Sequence, residues 1–332
     1  MDPVRRQPIP DAGPASPHQA RPGDRLTGRR RSHPDLAQVL HEPVIYLMWP
    51  RAALMQLAHP GVAPTEVESG VYGIRGAGRW AGTVNYLRVA ACGDDEQRRV
   101  LAREVNRVHA RVRVPADAPA GGRRPAFDPR NQLWVATTWF VSIVDTYSLF
   151  VRPLDDDAVA GLYEQFQRIG TLLQMSPGDW PADLDQLRAY VAYVEGDYPA
   201  ALPRSASSDP EHVTAGDVAA QVFSTYSMPR RYVRLLPRIR LLTWGMAGER
   251  LRSIYGIEWS ADHEHRFRRT VRTVARWQSC CPGPLRRRHG RRQARRRADR
   301  TIADRTPAER TPANRSTQTA VTNPHTNGRN QR

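Results

Sequence analysis

Apolar residues recur along the middle of the chain at helical spacing, broken by clear punctuation. From Pro43 to Leu57 most faces are apolar, and the run ends at His59-Pro60. Gly78 to Cys92 keeps the 3.6-residue period and stops at Gly93, a residue suited to a helix C-terminus. Asp94 then caps a predicted helix from Asp95 to Val112, whose first turn carries acids where the helix dipole favours them. In DPRNQLWVATTWFVSIVDTYSLF, Asp128 serves as N-cap and Pro129 as first helical residue. The almost wholly apolar stretch from Leu133 to Phe150 predicts a helix buried all round. The pattern places further helices at 155–174, 181–195, 217–226 and 261–277, with shorter ones near 230–237 and 246–254. No alternating strand pattern and no fixed-period repeat interrupts this. The expected fold is all-α, a single domain over about residues 35–280 that could enclose a cofactor-sized cavity.

The two ends break the pattern. Residues 1–34 and 281–332 are rich in Arg, Pro, Gly or Thr without periodicity, and are expected to be disordered. Charge separates in the same way. The net +17 divides into +4 over residues 1–32, +11 over 281–332 and only +2 over everything between. All 50 basic residues are arginine, which points to a GC-rich gene before it points to a function. The C-terminal tail could bind nucleic acid or anionic lipid. No aromatic residues interleave with its arginines, so no specific nucleic-acid partner is expected; a solvated extension with weak affinity for anionic surfaces is the simpler reading. The oligomeric state is not legible.

Three cysteines, Cys92, Cys280 and Cys281, form no disulfide framework, and no CxxC, CxxCH or paired Cys/His zinc spacing occurs. A reducing cytoplasm fits this usage. Arg29-Arg30-Arg31 is not followed by an apolar segment, so no export signal is read. The longest apolar run, Val44 to Ala58, is interrupted by Pro50 and Arg51 and is too short to span a bilayer.

Three places could carry chemistry. His109 lies on the stripe formed by Leu101, Val105, Val108 and Val112, where a helix should be dry. Such an imidazole is either a hydrogen-bonded core residue or a metal or haem ligand. Arg79 and Thr83, four apart in RWAGTVNYL, share a helix face and could hold an anionic group such as a haem propionate; alternatively they are a surface cation and a hydroxyl bonded one turn back. His59, in QLAHPGVA, follows an apolar helix and precedes a proline, either as a capping residue or facing a cavity.

In this order, AHPGVA, the RxxxT of Arg79 to Thr83, VHARVR around His109, LWVATT at Leu133 to Thr138 and LLTWG…LRSIYGIEWS from Leu241 to Ser260 resemble the MpaB and rubber oxygenase (latex clearing protein) family, over about residues 38–275. The resemblance implies an all-helical fold holding one b-type haem. It makes His109 the proximal iron ligand, lines the pocket with Arg79 and Thr83, and matches His59 to a histidine common in the family. With a haem there, a distal pocket is expected to be built from Trp134, Thr137, Thr138 and Val141 on the buried helix. Three positions depart from the family pattern: Gly82 stands where rubber oxygenase has a lysine, Ala136 replaces a histidine, and Glu68-Ser69 stands for a His-Ser pair.

The expected function is that of a haem b-dependent oxygenase acting with dioxygen on an apolar, alkene or prenyl-like substrate. The competing class is a non-catalytic haem- or lipid-binding helical protein whose basic tail meets anionic surfaces or nucleic acid.

Overall fold

The computed structural model describes residues 33–63, 66, 76–111, 125–199, 215–223 and 230–303, all of them helical or connecting. The N-terminal segment expected to be disordered lies outside the described residues up to position 32, as does the chain beyond 303. The elements are α1 (Leu36–His41), a 3-10 turn (Pro43–Leu47), α2 (Met48–Ala58), α3 (Gly76–Cys92), α4 (Asp95–His109) and α5 (Pro129–Phe150). Then come α6 (Asp156–Gly170), α7 (Leu184–Gly196), α8 (Ala215–Val222), α9 (Leu236–Met246), α10 (Glu249–Ile254), α11 (Ala261–Ser279), α12 (Gly283–Arg286) and α13 (Arg288–Ala303).

Local chemistry sets these boundaries. Pro50 splits the first apolar run into a 3-10 turn and a helix, because it is tolerated only in the first turn of α2, where its missing N–H would have no partner. Asp94 and Gln97 close a reciprocal capping box on α4. Asp128 caps α5 ahead of Pro129, as the sequence predicts. Gly93 ends α3, but not through a left-handed backbone; a Cβ there would lie 2.6 Å from the Val89 carbonyl, so the turn needs a bare backbone.

The core is the seam of α2 and α5, with α8 and α9 against α2, and α6 and α11 against α5. Trp49, Leu54, Trp134, Phe140 and Phe166 are among its buried side chains. α5 is long and apolar enough to cross a bilayer, yet more than half of that stretch is buried against other elements of the bundle. Several polar groups in the seam are paired. The Met55 carbonyl is freed because the His59 N–H turns back to Gln56; it accepts instead from Trp134 Nε1 at 3.3 Å and the Tyr198 hydroxyl at 3.2 Å. The Tyr255 hydroxyl donates to Leu54 at 2.7 Å. Arg51, 12% exposed, pairs with Asp145 of α5 at 2.8 Å.

The expectation of a disordered tail from residue 281 is corrected for 283–303. These residues form α12 and α13, and α13 packs on α1, α3 and α4. The disorder argument weighed the arginines as solvated charge. It missed Glu42, which is fully buried and holds Arg286 at 2.7 Å and Arg287 at 2.9 Å. Gly290 lets α13 approach α1 so closely that a Cβ would sit 2.6 Å from the His41 carbonyl. Gln293 accepts from the Tyr46 hydroxyl and from Arg88.

Candidate active site

α4 places its C-terminal residue, His109, at the margin of the core. Leu101 is buried, Val105 is half-buried and Val108 is 59% exposed. The dry stripe expected along this face therefore fails at Val108, because the last turns of α4 run past the densely packed layer. Val112 lies outside the described residues. His109 itself is half-buried, with Nδ1 shut off from solvent. Its ring meets Phe127 edge-on, with centroids 5.9 Å apart.

A relay of amides holds that turn of α4. Asn106, one turn before His109, accepts from Gln174 Nε2 at 2.9 Å. The Gln174 side-chain carbonyl accepts from Gln132 Nε2, and the Gln174 backbone N–H donates to Gln132 Oε1 at 3.0 Å. Gln132 also donates to the Ala126 carbonyl, next to Phe127. The end of α4, the loop after α6, the start of α5 and the 3-10 turn at Pro125–Phe127 are thus tied together around the imidazole.

Arg79 and Thr83 both lie on α3, as expected. Thr83 is half-buried, while the Arg79 side chain lies outside the described residues. Among the described side chains of α3, Arg88 is a fully buried arginine, which the sequence reading passed over. It donates to the Leu40 carbonyl, the Tyr46 hydroxyl and Gln293 Oε1, and lies 5.1 Å over the Tyr46 ring. Burial pulls its pKa below the usual arginine value. An arginine inside the apolar run NYLRVAAC was the available signal.

His59 caps α2 and stacks on Trp134 at 5.6 Å. Its Nδ1 accepts from the Gly61 N–H at 3.1 Å, and burial pulls its pKa below the ordinary histidine value. These contacts shape a turn. The proposed distal set divides as well. Trp134 is committed to α2, and Thr138 bonds Gln56 at 2.8 Å and the Val135 carbonyl, so both face the core seam. Val141 packs half-buried against the core. Thr137 differs: it is fully buried and its hydroxyl has no partner. Among the described residues no three His, Cys, Asp or Glu side chains converge as a metal site. A cleft of about 270 Å³ lies elsewhere, lined by Asp35, Leu36, Ala90, Glu164 and Arg168 among others.

Comparison with known proteins places most of this bundle in one family. Residues 36–276 match the family described as ER-bound oxygenase mpaB/B'/rubber oxygenase, catalytic domain. Two relatives, uncharacterized protein Mb2261 of Mycobacterium bovis and uncharacterized protein Rv2237 of Mycobacterium tuberculosis, are each 30% identical over 218 residues, which is 64% of this chain and 81% of theirs. No solved structure matches the chain. With nearly the whole helical bundle inside the match, the chain belongs to the MpaB and rubber oxygenase catalytic-domain family.

Proposed function

We propose that this protein is a haem b-dependent oxygenase that acts with dioxygen on an apolar substrate of alkene or prenyl type. Membership in an oxygenase family supports the reaction class. The observation that carries the cofactor is the setting of His109: one half-buried imidazole at a helix end, edge-on to an aromatic ring and braced by the Asn106–Gln174–Gln132 relay. One imidazole against an aromatic ring, with no three His, Cys, Asp or Glu side chains converging among the described residues, is compatible with the donor set of haem, whereas a non-haem iron site asks for two histidines and a carboxylate. The residues present fit the group.

In this reading His109 would hold the haem iron. The amide relay fixes the turn that carries it, the role that partners beyond the ligand shell play in metal sites. Arg79 and Thr83, four residues apart on α3, would hold an anionic group of the cofactor. The unpartnered Thr137 hydroxyl is a hydrogen-bond donor available on α5. His59, kept neutral by burial, supports the α2 turn and is not asked to ligate. Haem supplies the dioxygen chemistry; the chain supplies orientation and exclusion of water. Substrate chemistry is assigned as apolar on the family alone, whose description includes rubber oxygenase.

The test is oxygen uptake by the haem-loaded protein with an unsaturated hydrocarbon, alongside its saturated counterpart. Uptake that follows the double bond supports the reading. Haem-loaded protein that consumes oxygen with neither, and yields no oxidised product, contradicts it.

A further inference from the structure

At the corner where α11 ends and α13 begins, the usual placement of apolar and polar groups is reversed. Gln278 is buried while its neighbour Trp277 is 77% exposed. Arg286 and Arg287 turn inward to the buried carboxylate of Glu42, while Leu285 is 59% exposed. The reversal is pinned by hydrogen bonds. Glu42 also lies 3.5 Å from Gln278 Nε2, and Arg286 donates to the carbonyls of Gln278 and Cys281. A tryptophan and a leucine are thus held out in solvent by a polar clasp underneath them, an arrangement that costs free energy in water unless another apolar medium covers the pair.

The charge around the pair says which medium. From His265 to Ala298 the sequence carries thirteen arginines and no acidic residue. Arg269, Arg272 and Arg276 on α11, and Arg288, Arg292 and Arg295 at the start of α13, are exposed. An exposed indole and leucine rimmed by guanidinium groups match the boundary of an anionic bilayer, where aromatic rings sit at headgroup depth and basic side chains meet lipid phosphates. A nucleic acid would be served by the arginines alone and gives no reason to hold Leu285 outward.

We propose that the Trp277–Leu285 corner with its arginine rim is a docking surface for an anionic lipid bilayer, placing the protein at a membrane face without spanning it. All of it beyond Arg276 lies outside the family match. The proposal does not depend on the haem reading.

The full-length protein is sedimented with vesicles of phosphatidylglycerol and phosphatidylcholine, with vesicles of phosphatidylcholine alone, and with short duplex DNA as competitor. Three proteins are compared: the native chain, Trp277→Ala/Leu285→Ala, and Arg276→Gln/Arg288→Gln. Both variants alter exposed side chains, and their thermal melts should overlay the native one. The native protein should bind the anionic vesicles, and both variants should bind them more weakly. The apolar double variant should lose about tenfold or more, the factor expected from returning two apolar side chains to water. Equal binding by the native chain and Trp277→Ala/Leu285→Ala would overturn the proposal, as would equal binding to neutral and anionic vesicles. So would binding to duplex DNA with none to vesicles.

Discussion

The seam between α2 and α5 and the end of α4 are built on opposite terms. In the seam, apolar side chains are fully enclosed, and the helix-end carbonyls of Leu54 and Met55 each find a buried donor. At the end of α4, by contrast, Val108 is open, His109 is half-buried, and the contacts that brace the turn are amide hydrogen bonds rather than packing. A region that packs on all sides commits its side chains to stability. One held by a few directional bonds at the margin owes less of its order to packing. The comparison places the fold's free energy in one region and the proposed chemistry in the other.

That division can be broken from either side. The largest effect should come from the seam: Trp134→Ala removes a fully buried indole and should cost about 3–5 kcal/mol in urea unfolding. A cost under about 1 kcal/mol would show that the seam is not the stability centre. Next is Glu42→Gln, which leaves Arg286 and Arg287 facing a neutral group and should cost about 3 kcal/mol, the low end for a broken buried pair since both arginines keep some exposure. Wild-type stability in that variant would return α12 and α13 to the status of a loosely attached tail.

Smaller still is Gln174→Ala. It cuts the relay to Asn106 and Gln132 at a partly buried position and should cost about 1 kcal/mol. It should also loosen haem retention, a change that simple destabilisation of equal size elsewhere would not produce.

Acid sharpens the contrast by the least. His41 and His59 both have folded-state pKa values pulled below 6.5, chiefly by burial and, for His41, also by Arg88. The unfolded chain therefore binds more protons just below that value, so stability should fall as pH drops through 6.5 and level off below the folded values. Urea midpoints at successive pH values check this, and His59→Asn should flatten the slope.

The sequence made most of the bundle legible because its signals are local. Asp94, Asp128-Pro129 and the all-apolar face of Leu133 to Phe150 each announce an element through capping or periodicity. α12 and α13 were hidden because what orders them is not local: Glu42 lies 244 residues before Arg286. A buried acid cannot be told from a surface one by its neighbours in sequence. The same limit applies to the candidate site. Periodicity put His109 on an apolar face but could not show that α4 outruns the core at Val108. Nor could it show that Trp134 and Thr138 on α5 turn toward α2, leaving Thr137 with the unpartnered hydroxyl. Helical spacing shows which residues share a face; it does not say what that face meets.

The most direct measurement is a haem titration of the native protein and His109→Ala, followed by absorption spectroscopy with thermal melts on both. The account predicts a stoichiometric Soret-absorbing complex for the native chain. It predicts a variant with a near-identical melt in the haem-free state and no such complex, because His109 serves the cofactor rather than the fold. A variant that keeps haem with an unchanged spectrum, or a native protein that takes up none, would contradict it.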